Sequence, residues 1–296
     1  MNIIDLKFLG LERAIAVFLV ETSIGPILIE TGPHSSLPKL KSGLSKLGYE
    51  LKDIKHVLLT HIHLDHAGAA WAFAEQGAKI HLHPRGYRHL NEPSKLLESA
   101  RRIYKDQMDS LWGSIKPIPE DNLLTVEDGE VLTFGDVSIK AMHTPGHAQH
   151  HIAWQWDQSI FCGDVAGVKI DGGPVVPPCP PPDIDMGDWH SSIDKIKAQH
   201  PKQLFLTHYG QINDIDNHLS ELKGILKDWL DWMRKRWESG QNEKEITPEF
   251  KIYVEGQLKD KGMSEYTIKQ YDAANPVWMS VAGLLRYLNK YSKKNN

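Results

Sequence analysis

Three histidines and one aspartate lie within six residues of this 296-residue chain, at His61, His63, Asp65 and His66. Neither a helix nor a strand places all four side chains on one face, because the two periods are about 3.6 and 2.0 residues. If the segment is extended, His61 and His63 share one side, and the other two project elsewhere once the chain turns. Imidazole suits zinc and iron, and a carboxylate adds negative charge. The cluster therefore predicts a site that serves two metal ions.

The flanks of the cluster are typical of an ordered site rather than of a polar loop that happens to be rich in histidine. An apolar run at 54–59 leads in, and the small residues at 67–70 lead out. This order predicts a strand, a loop and the start of a helix.

Four further potential ligands lie at the ends of predicted strands: His143, His147, Asp164 and His208. A strand end holds a side chain rigidly, and the glycine near each of the last three lets the backbone approach a metal closely. One histidine in a Pro/Gly turn is more often structural. Four such positions together with the cluster predict a metal centre assembled from distant parts of the chain.

The pattern His-x-His-x-Asp-His after a strand that ends in Thr60 resembles the signature of the metallo-β-lactamase superfamily. Together with His-Thr-Pro-Gly-His at 143–147, it looks most like the hydrolase branch that includes glyoxalase II and acyl-homoserine lactonases. The resemblance covers about residues 3–210. It implies an α/β fold, namely the four-layer αββα sandwich of that superfamily.

The same resemblance implies two adjacent metal ions with all ligands present. The first ion would be held by three histidines, His61, His63 and His147. The second would be held by Asp65, His66 and His208, and Asp164 would bridge the two ions. We expect two divalent ions, zinc first, with iron or manganese as alternatives. Asp65 is also the expected catalytic residue, which accepts a proton and orients the nucleophile.

Three other residues are candidates for supporting the ligands or contacting the substrate. Glu30 stands where the superfamily usually has the aspartate of an Asp-Thr-Gly motif that braces the metal loop. It is one methylene longer, so its bracing contact stays open, with a solvent-facing carboxylate as the alternative. His143 could hydrogen-bond behind the ligands or pack in its strand. Tyr209, next to His208, could reach a substrate carbonyl or serve in packing.

Composition indicates a globular protein, with 41% apolar and 24% charged residues and a formal net charge of −4. This charge argues against nucleic acid as a partner. Two cysteines argue against a disulfide scaffold. Neither a signal peptide pattern nor an apolar run of about 20 residues is present. We expect a cytoplasmic protein with a small-molecule substrate and without a membrane partner.

The chain changes character near residue 212. Strands and helices alternate up to a last predicted strand at 203–206, and only helices are predicted beyond 211. We therefore predict a catalytic domain at 1–212 and a helical C-terminal extension at 213–296. The tryptophan-bearing helix at 214–239 could form a homodimer contact or pack in the core. The helical segment at 85–120, the Gly/Pro loop at 167–183 and the extension are expected to set the substrate.

The function predicted from these residues is hydrolysis of a thioester, a lactone or a related ester by a hydroxide that bridges two metals. The alternative is a persulfide dioxygenase with one iron, which would use the same first ligand group. A nuclease of the tRNA-processing type is less favoured, because the loop at 167–183 contains Lys169 as its one basic residue. A non-catalytic binding module is disfavoured because all seven ligands are intact.

Overall fold

The computed structural model describes residues 1–292, so the last four residues of the predicted extension lie outside the described part of the chain. Two six-stranded sheets form its centre. The first sheet contains, in spatial order, β1 (Asn2–Asp5), β2 (Ala16–Val20), β3 (Ile27–Ile29), β4 (His56–Leu58), β5 (Lys79–Leu82) and β6 (Leu123–Thr125). Its first three strands are antiparallel, and β3 to β6 are parallel.

The second sheet is antiparallel except for one parallel pair, formed by the strands at Ser159–Gly163 and Gln203–Leu206. It contains β7 (Val131–Phe134), β8 (Val137–His143), β9 (Ile152–Trp156), β10 (Ser159–Gly163), β11 (Gln203–Leu206) and β12 (Gly210–Ile212). The prediction that 203–206 is the last strand is wrong, because β12 follows it. A three-residue strand that starts at a glycine is too short to show an alternating apolar pattern.

Helices cover the outer faces of both sheets. In the first half they are α1 (Leu37–Lys46), α2 (Leu64–Ala67), α3 (Ala70–Ala74), α4 (Pro84–Asn91), α5 (Ser94–Tyr104) and α6 (Met108–Trp112). In the second half they are α7 (Met186–Lys197), α8 (Ile215–Glu238), α9 (Glu243–Asp260), α10 (Glu265–Ala274) and α11 (Val277–Ser292). Among the described residues, we find no helix with the length and apolar character needed to cross a membrane.

The core has three apolar parts: one between the two sheets, one between the first sheet and the helices of the first half, and one between the second sheet and α7 with the C-terminal helices. This layering is the four-layer αββα sandwich predicted from the sequence. Alternate residues of β2 show the layering: Ala16, Phe18 and Val20 face the space between the sheets, whereas Val17 and Leu19 face the helices of the first half. The third part joins α7 to the C-terminal helices, where Leu222, Trp229 and Phe250 are buried. The extension thus shares one core with the second sheet, and the domain division at residue 212 stays a prediction.

Candidate metal centre

The candidate ligands meet where the ends of the two sheets come together. His61 and His63 directly follow β4, and Asp65 and His66 occupy the short helix α2. Asp164 follows β10, His208 follows β11, and His147 lies in the turn between β8 and β9. The sheets are tied to each other at this end, because Ile152 N donates to Thr60 O at 2.7 Å and Ala16 N donates to Thr207 O at 2.8 Å.

His61, His63 and His147 form the first ligand group, in which one nitrogen of each ring lies within 4.8 Å of the others. His63 Nδ1 lies 2.9 Å from His61 Nε2 and 3.0 Å from His147 Nε2. For comparison, ligand atoms about 2.0–2.1 Å from a tetrahedral zinc lie about 3.3 Å from one another. The three nitrogens are therefore spaced as the ligands of one ion.

Asp65, His66 and His208 form the second ligand group, also within 4.8 Å. Asp65 Oδ2 lies 3.6 Å from His66 Nε2 and 3.5 Å from His208 Nε2. Asp164 stands between the two groups. Its Oδ1 is 3.2 Å from His66 Nε2 and its Oδ2 is 3.3 Å from His147 Nε2. One carboxylate oxygen thus faces each group, as a bridging ligand requires.

The polar atoms at this junction fit two divalent cations. His66 Nε2, His208 Nε2 and Asp164 Oδ1 are buried and have no hydrogen-bond partner within the described residues. Buried polar atoms in native proteins are almost always paired, so three unpaired atoms aimed at one place call for a ligand. Nitrogen and carboxylate donors in this ratio suit zinc and other first-row metals.

Each ligand histidine except His63 is oriented by a hydrogen bond from its other ring nitrogen. His147 Nδ1 donates to Pro178 O at 2.8 Å, and His208 Nδ1 donates to Ala14 O at 2.7 Å. His61 Nδ1 lies 3.0 Å from Thr60 Oγ1, whose own proton goes to Glu30. These contacts leave the Nε2 lone pairs free to bind a metal, which is the usual support for histidine ligands.

Glu30 lies beneath the metal loop and is completely buried. Its Oε1 accepts from Thr60 Oγ1, from His66 Nδ1 at 2.9 Å and from Thr207 Oγ1 at 3.3 Å. The backbone N of Thr60 lies 3.4 Å from Oε2. One carboxylate therefore joins β4, α2 and the end of β11, which is the bracing position predicted for it and not a solvent-facing one.

Burial and neighbouring charges shift the pKa values of the candidate histidine ligands in two directions. Burial, reinforced by neighbouring imidazoles, lowers the pKa of His61 well below its usual value and that of His63 to about 3. These rings stay neutral and keep a lone pair for a metal. Burial also disfavours charge on His66, but the carboxylates of Asp164, Asp65 and Glu30 outweigh it and raise the pKa of His66 well above 6.5. The three carboxylates around His66 thus favour positive charge at this place.

The structure places the other two supporting candidates away from the ligands. His143 Nε2 is 2.9 Å from Val126 O, and its ring lies 4.0 Å from that of His83. Tyr209 packs against the core, and burial followed by the charge of Asp5 raises its pKa to about 12. Within residues 1–292, we find no contact that supports the predicted roles of His143 and Tyr209 at the centre.

Two residues next to the centre, His150 and His151, are not among the site residues predicted from the sequence, which favoured surface or structural roles for them. His151 Nε2 accepts from the backbone N of Asp164 at 3.3 Å, and its Nδ1 is 2.8 Å from Thr144 Oγ1, so this ring helps to position the backbone of Asp164. His150 is buried, and its ring lies 5.5 Å from that of His63. The adjacent His-His pair was the available signal, but such pairs are common on surfaces.

A cavity of about 730 Å³ opens directly onto the metal centre. His63, Asp65, His150 and Asp164 line its inner end. Most of the rest of its wall comes from four segments: the loop after β1, helices α5 and α6, the proline-rich loop at 178–183, and helices α10 and α11. A substrate bound here would contact both the ligands and the helical extension.

Comparisons with known proteins agree with this geometry. The sequence profile described as the metallo-beta-lactamase superfamily matches residues 11–208. The chain is 29% identical over 202 residues to the metallo-beta-lactamase fold-containing protein ST1585 of Sulfurisphaera tokodaii, covering 66% of this chain and 74% of that protein. The crystal structure of ST1585 superposes with a TM-score of 0.64 over 77% of this chain and 85% of that one, at 24% identity.

Two further relatives carry names of specific activities. An atrochrysone carboxyl ACP thioesterase of Aspergillus fumigatus is 27% identical over 150 residues, which is 50% of this chain and 28% of the thioesterase. An N-acyl homoserine lactonase of a Bacillus species is 27% identical over 165 residues, which is 48% of this chain and 57% of the lactonase. The chain therefore matches less than two thirds of either enzyme's length.

Proposed function

The chain belongs to the metallo-β-lactamase superfamily, and on this premise we propose that it is a dinuclear metal-dependent hydrolase of a thioester, a lactone or a related ester. The observation that carries the proposal is Asp164, whose two carboxylate oxygens face two separate ligand groups. A site for one metal would not need the second group. Asp65, His66 and His208 nevertheless lie within 4.8 Å of one another.

Two bound cations would supply a water of lowered pKa and a positive charge beside the scissile carbonyl. The protein's own contribution divides between two carboxylates. Asp164 is buried, with 5% of its side chain exposed, and is surrounded by imidazoles, so it holds the two groups together. Asp65 keeps 21% of its side chain exposed and lines the cavity. Asp65 is therefore the carboxylate that can take a proton from the attacking water and pass it to the leaving group.

The choice of bond rests on the shape of the site and on the relatives. A thioesterase and a lactonase are among the similar proteins, and both names denote attack on an activated acyl carbonyl. The cavity admits a small molecule to the ligands and is lined mainly by apolar side chains. This lining disfavours a polyanionic nucleic acid, which would require a row of basic residues. We accordingly expect a small-molecule substrate.

A persulfide dioxygenase with one iron is the second candidate, because the first ligand group is complete without the second. For the hydrolase we propose zinc as the native metal, with iron or manganese as alternatives. The cytoplasmic location and the homodimer stay predictions. Trp229 of α8 is buried within its own subunit, so a dimer contact would need other residues of that helix.

The test is metal analysis of protein purified without added metal, combined with assays on thioesters, lactones and phosphodiesters. We expect two metal ions per chain and turnover of at least one ester class. One iron per chain with oxygen uptake would overturn the hydrolase and establish the second candidate.

A second measurement tests the role of Asp65. In Asp65→Asn, assayed at a measured metal content equal to that of the wild type, turnover should fall by about 10²–10⁴-fold, because proton transfer by a positioned group contributes that much. Unchanged turnover at equal metal content would remove the assigned role.

A further inference from the structure

The cavity beside the metal centre has a continuous aromatic wall. We use that term for Phe8, Trp112, Tyr104 and Trp278, which all line the cavity. Phe8 stacks on Trp112 with ring centres 5.8 Å apart. Tyr104 meets Trp112 edge to face at 4.9 Å and Trp278 at 5.8 Å. The wall thus crosses from the loop after β1, through α5 and α6, to the extension.

The polarity of the cavity changes along its length. Ligand residues stand at the inner end, and apolar side chains of Leu96, Ile103, Leu111 and Met279 accompany the aromatic wall. The side chains of Lys95, Gln107, Lys269 and Asp272 also line the cavity, and these residues are exposed to solvent. The cavity therefore leads from a polar metal centre, past an apolar middle, to a mixed polar mouth.

The charges at the mouth do not select one sign. Lys95 of α5 and Lys269 of α10 line the cavity together with Asp183 and Asp272. Two cations and two carboxylates offset each other, so a strongly charged group gains little from entering. The binding free energy available here comes from burying apolar surface.

We propose that the apolar middle of the cavity binds a long apolar acyl group whose carbonyl carbon stands at the metal centre. This proposal rests on the proposed function, since it specifies the substrate of the same site. A volume of about 730 Å³ is within the usual range for small-molecule sites and exceeds what an acetyl group would fill. The aromatic wall offers flat apolar faces to a hydrocarbon chain, whereas a polar acyl group would lose its hydration there.

The proposal predicts how hydrolysis depends on chain length. Burying one methylene favours binding by a factor of about four, so each added methylene should raise kcat/KM about fourfold until the cavity is filled. The assay uses the metal-loaded protein and one series of straight-chain acyl thioesters from acetyl to dodecanoyl. A kcat/KM that is constant or falls with chain length, while hydrolysis proceeds, would overturn the proposal and leave the proposed function standing.

A cavity-filling variant tests the location. Ala273 of α10 lines the cavity and is half-buried, so Ala273→Phe should shorten the available space. We expect kcat/KM for the longest acyl groups to fall at least tenfold, while that for the acetyl thioester changes less than twofold and the metal content stays the same. Ala198→Phe, at an exposed position after α7, is the matched control and should leave the series unchanged. An equal loss of kcat/KM for short and long acyl groups would mean that the acyl chain binds elsewhere.

A binding measurement separates the two proposals. Calorimetry of the metal-loaded protein with straight-chain alkanols should show affinity that increases with length, a negative heat-capacity change, and weaker binding in Ala273→Phe. If binding behaves in this way but no ester of any length is hydrolysed, the proposed function fails while the apolar site remains. If hydrolysis occurs but alkanol binding shows no length dependence, the apolar site fails.

Discussion

The metal centre and the cavity wall lie side by side but are built by different means. At the centre, each candidate ligand follows a strand closely, and hydrogen bonds to Glu30 or to backbone carbonyls fix the rings. The wall consists of helix faces and a proline-rich loop, and its residues meet mainly through apolar and aromatic contacts. Directional bonds hold the chemistry in place, and non-directional packing shapes the space for a substrate. We therefore expect that the lining of the wall can change without disturbing the ligands.

The two regions touch at the Gly/Pro loop at 167–183, whose last part, 178–183, lines the cavity. Pro178 O accepts from the ligand His147, and the neighbouring carbonyl of Pro177 accepts from Asn275 Nδ2 at 3.2 Å. Tyr271 of α10 holds the start of the same loop, since its hydroxyl lies 3.0 Å from Ile170 N and 2.7 Å from Pro174 O. The helical extension thus reaches the metal centre through the loop, so the independence of the two regions can be tested.

The largest effect is expected where the two ligand groups meet. Asp164→Asn removes the charge that bridges the groups, so bound metal should fall from two ions to one or fewer. Metal ions supply several kcal/mol of transition-state stabilisation, and kcat/KM should drop by about 10³-fold or more. Asp183→Asn changes a carboxylate of the cavity in the same way and should keep both metals. Metal content and kcat/KM, measured on both variants, test this prediction. If Asp164→Asn bound two metal ions and stayed active, Asp164 would not be a bridging ligand.

A smaller effect on metal binding is expected at Glu30, which contacts the candidate ligand His66 and not the metal ions. Glu30→Gln removes the negative charge toward which His66 Nδ1, Thr60 Oγ1 and Thr207 Oγ1 donate at Oε1. It also puts an amide NH2 in place of Oε2, which lies 3.4 Å from the backbone N of Thr60. Metal affinity should fall by about 10–100-fold, and the free energy of unfolding should decrease by about 1–3 kcal/mol. Chelator competition and urea unfolding measure the two effects. Glu21→Gln, an exposed change after β2, is the control. An unchanged metal affinity would mean that Glu30 serves the fold alone.

The difference between the two regions also explains what the sequence could predict. The metal cluster is local, and its other candidate ligands follow strands with strong apolar patterns. Residues such as His61 and Asp164 therefore carried the resemblance to the metallo-β-lactamase superfamily, and that resemblance implied the αββα fold. The strand at 203–206 was predicted with its observed limits. The cavity brings together Phe8, Tyr104 and Trp278, which are up to 270 residues apart in a chain of 296. In the sequence, these three aromatic residues are equally compatible with ordinary core packing.

Side-chain direction was the other property that sequence could not supply. Tyr209 is adjacent to a ligand in the chain, yet it packs into the core, while His150, three residues after His147, enters the cavity. A turn at a strand end can direct neighbouring side chains to either side, and no periodicity operates there. The bracing role of Glu30 was predicted from its position in the motif. The three side chains that donate to it lie in separate elements, so they could be identified only from the structure.

The contact between the two regions can be broken from the side of the extension. Tyr271→Phe removes the hydroxyl that pairs with Ile170 N and Pro174 O, so two buried backbone groups lose a partner. The free energy of unfolding should fall by about 1–3 kcal/mol. If the regions are independent, metal affinity should change less than twofold. Tyr266→Phe, on the exposed face of the same helix, is the control for loss of a hydroxyl. A tenfold loss of metal affinity in Tyr271→Phe alone would show that the extension positions His147.

The smallest effect concerns how the extension is held to the second sheet in acid. His218 of α8 is buried, and its Nε2 donates to Ala166 O at 2.8 Å, two residues after the ligand Asp164. Burial lowers the pKa of His218 from 6.5 to about 4. A histidine with a lower pKa when folded binds fewer protons in the native state than in the unfolded state. Its contribution to stability is therefore complete above pH 6.5 and is lost progressively as the pH falls toward 4.

This loss can be isolated with a variant that keeps the hydrogen bond. The side-chain amide of His218→Gln can donate to Ala166 O, but it does not titrate. Between pH 6.5 and 5.5 the wild type should lose about 1 kcal/mol of unfolding free energy relative to the variant, because a full pH unit of one-proton linkage corresponds to about 1.4 kcal/mol. Urea unfolding at several pH values measures the difference, and acid effects at the metal centre cancel because both proteins share it. Parallel pH profiles would mean that protonation of His218 does not loosen the extension, and the acid sensitivity would then belong to the metal centre.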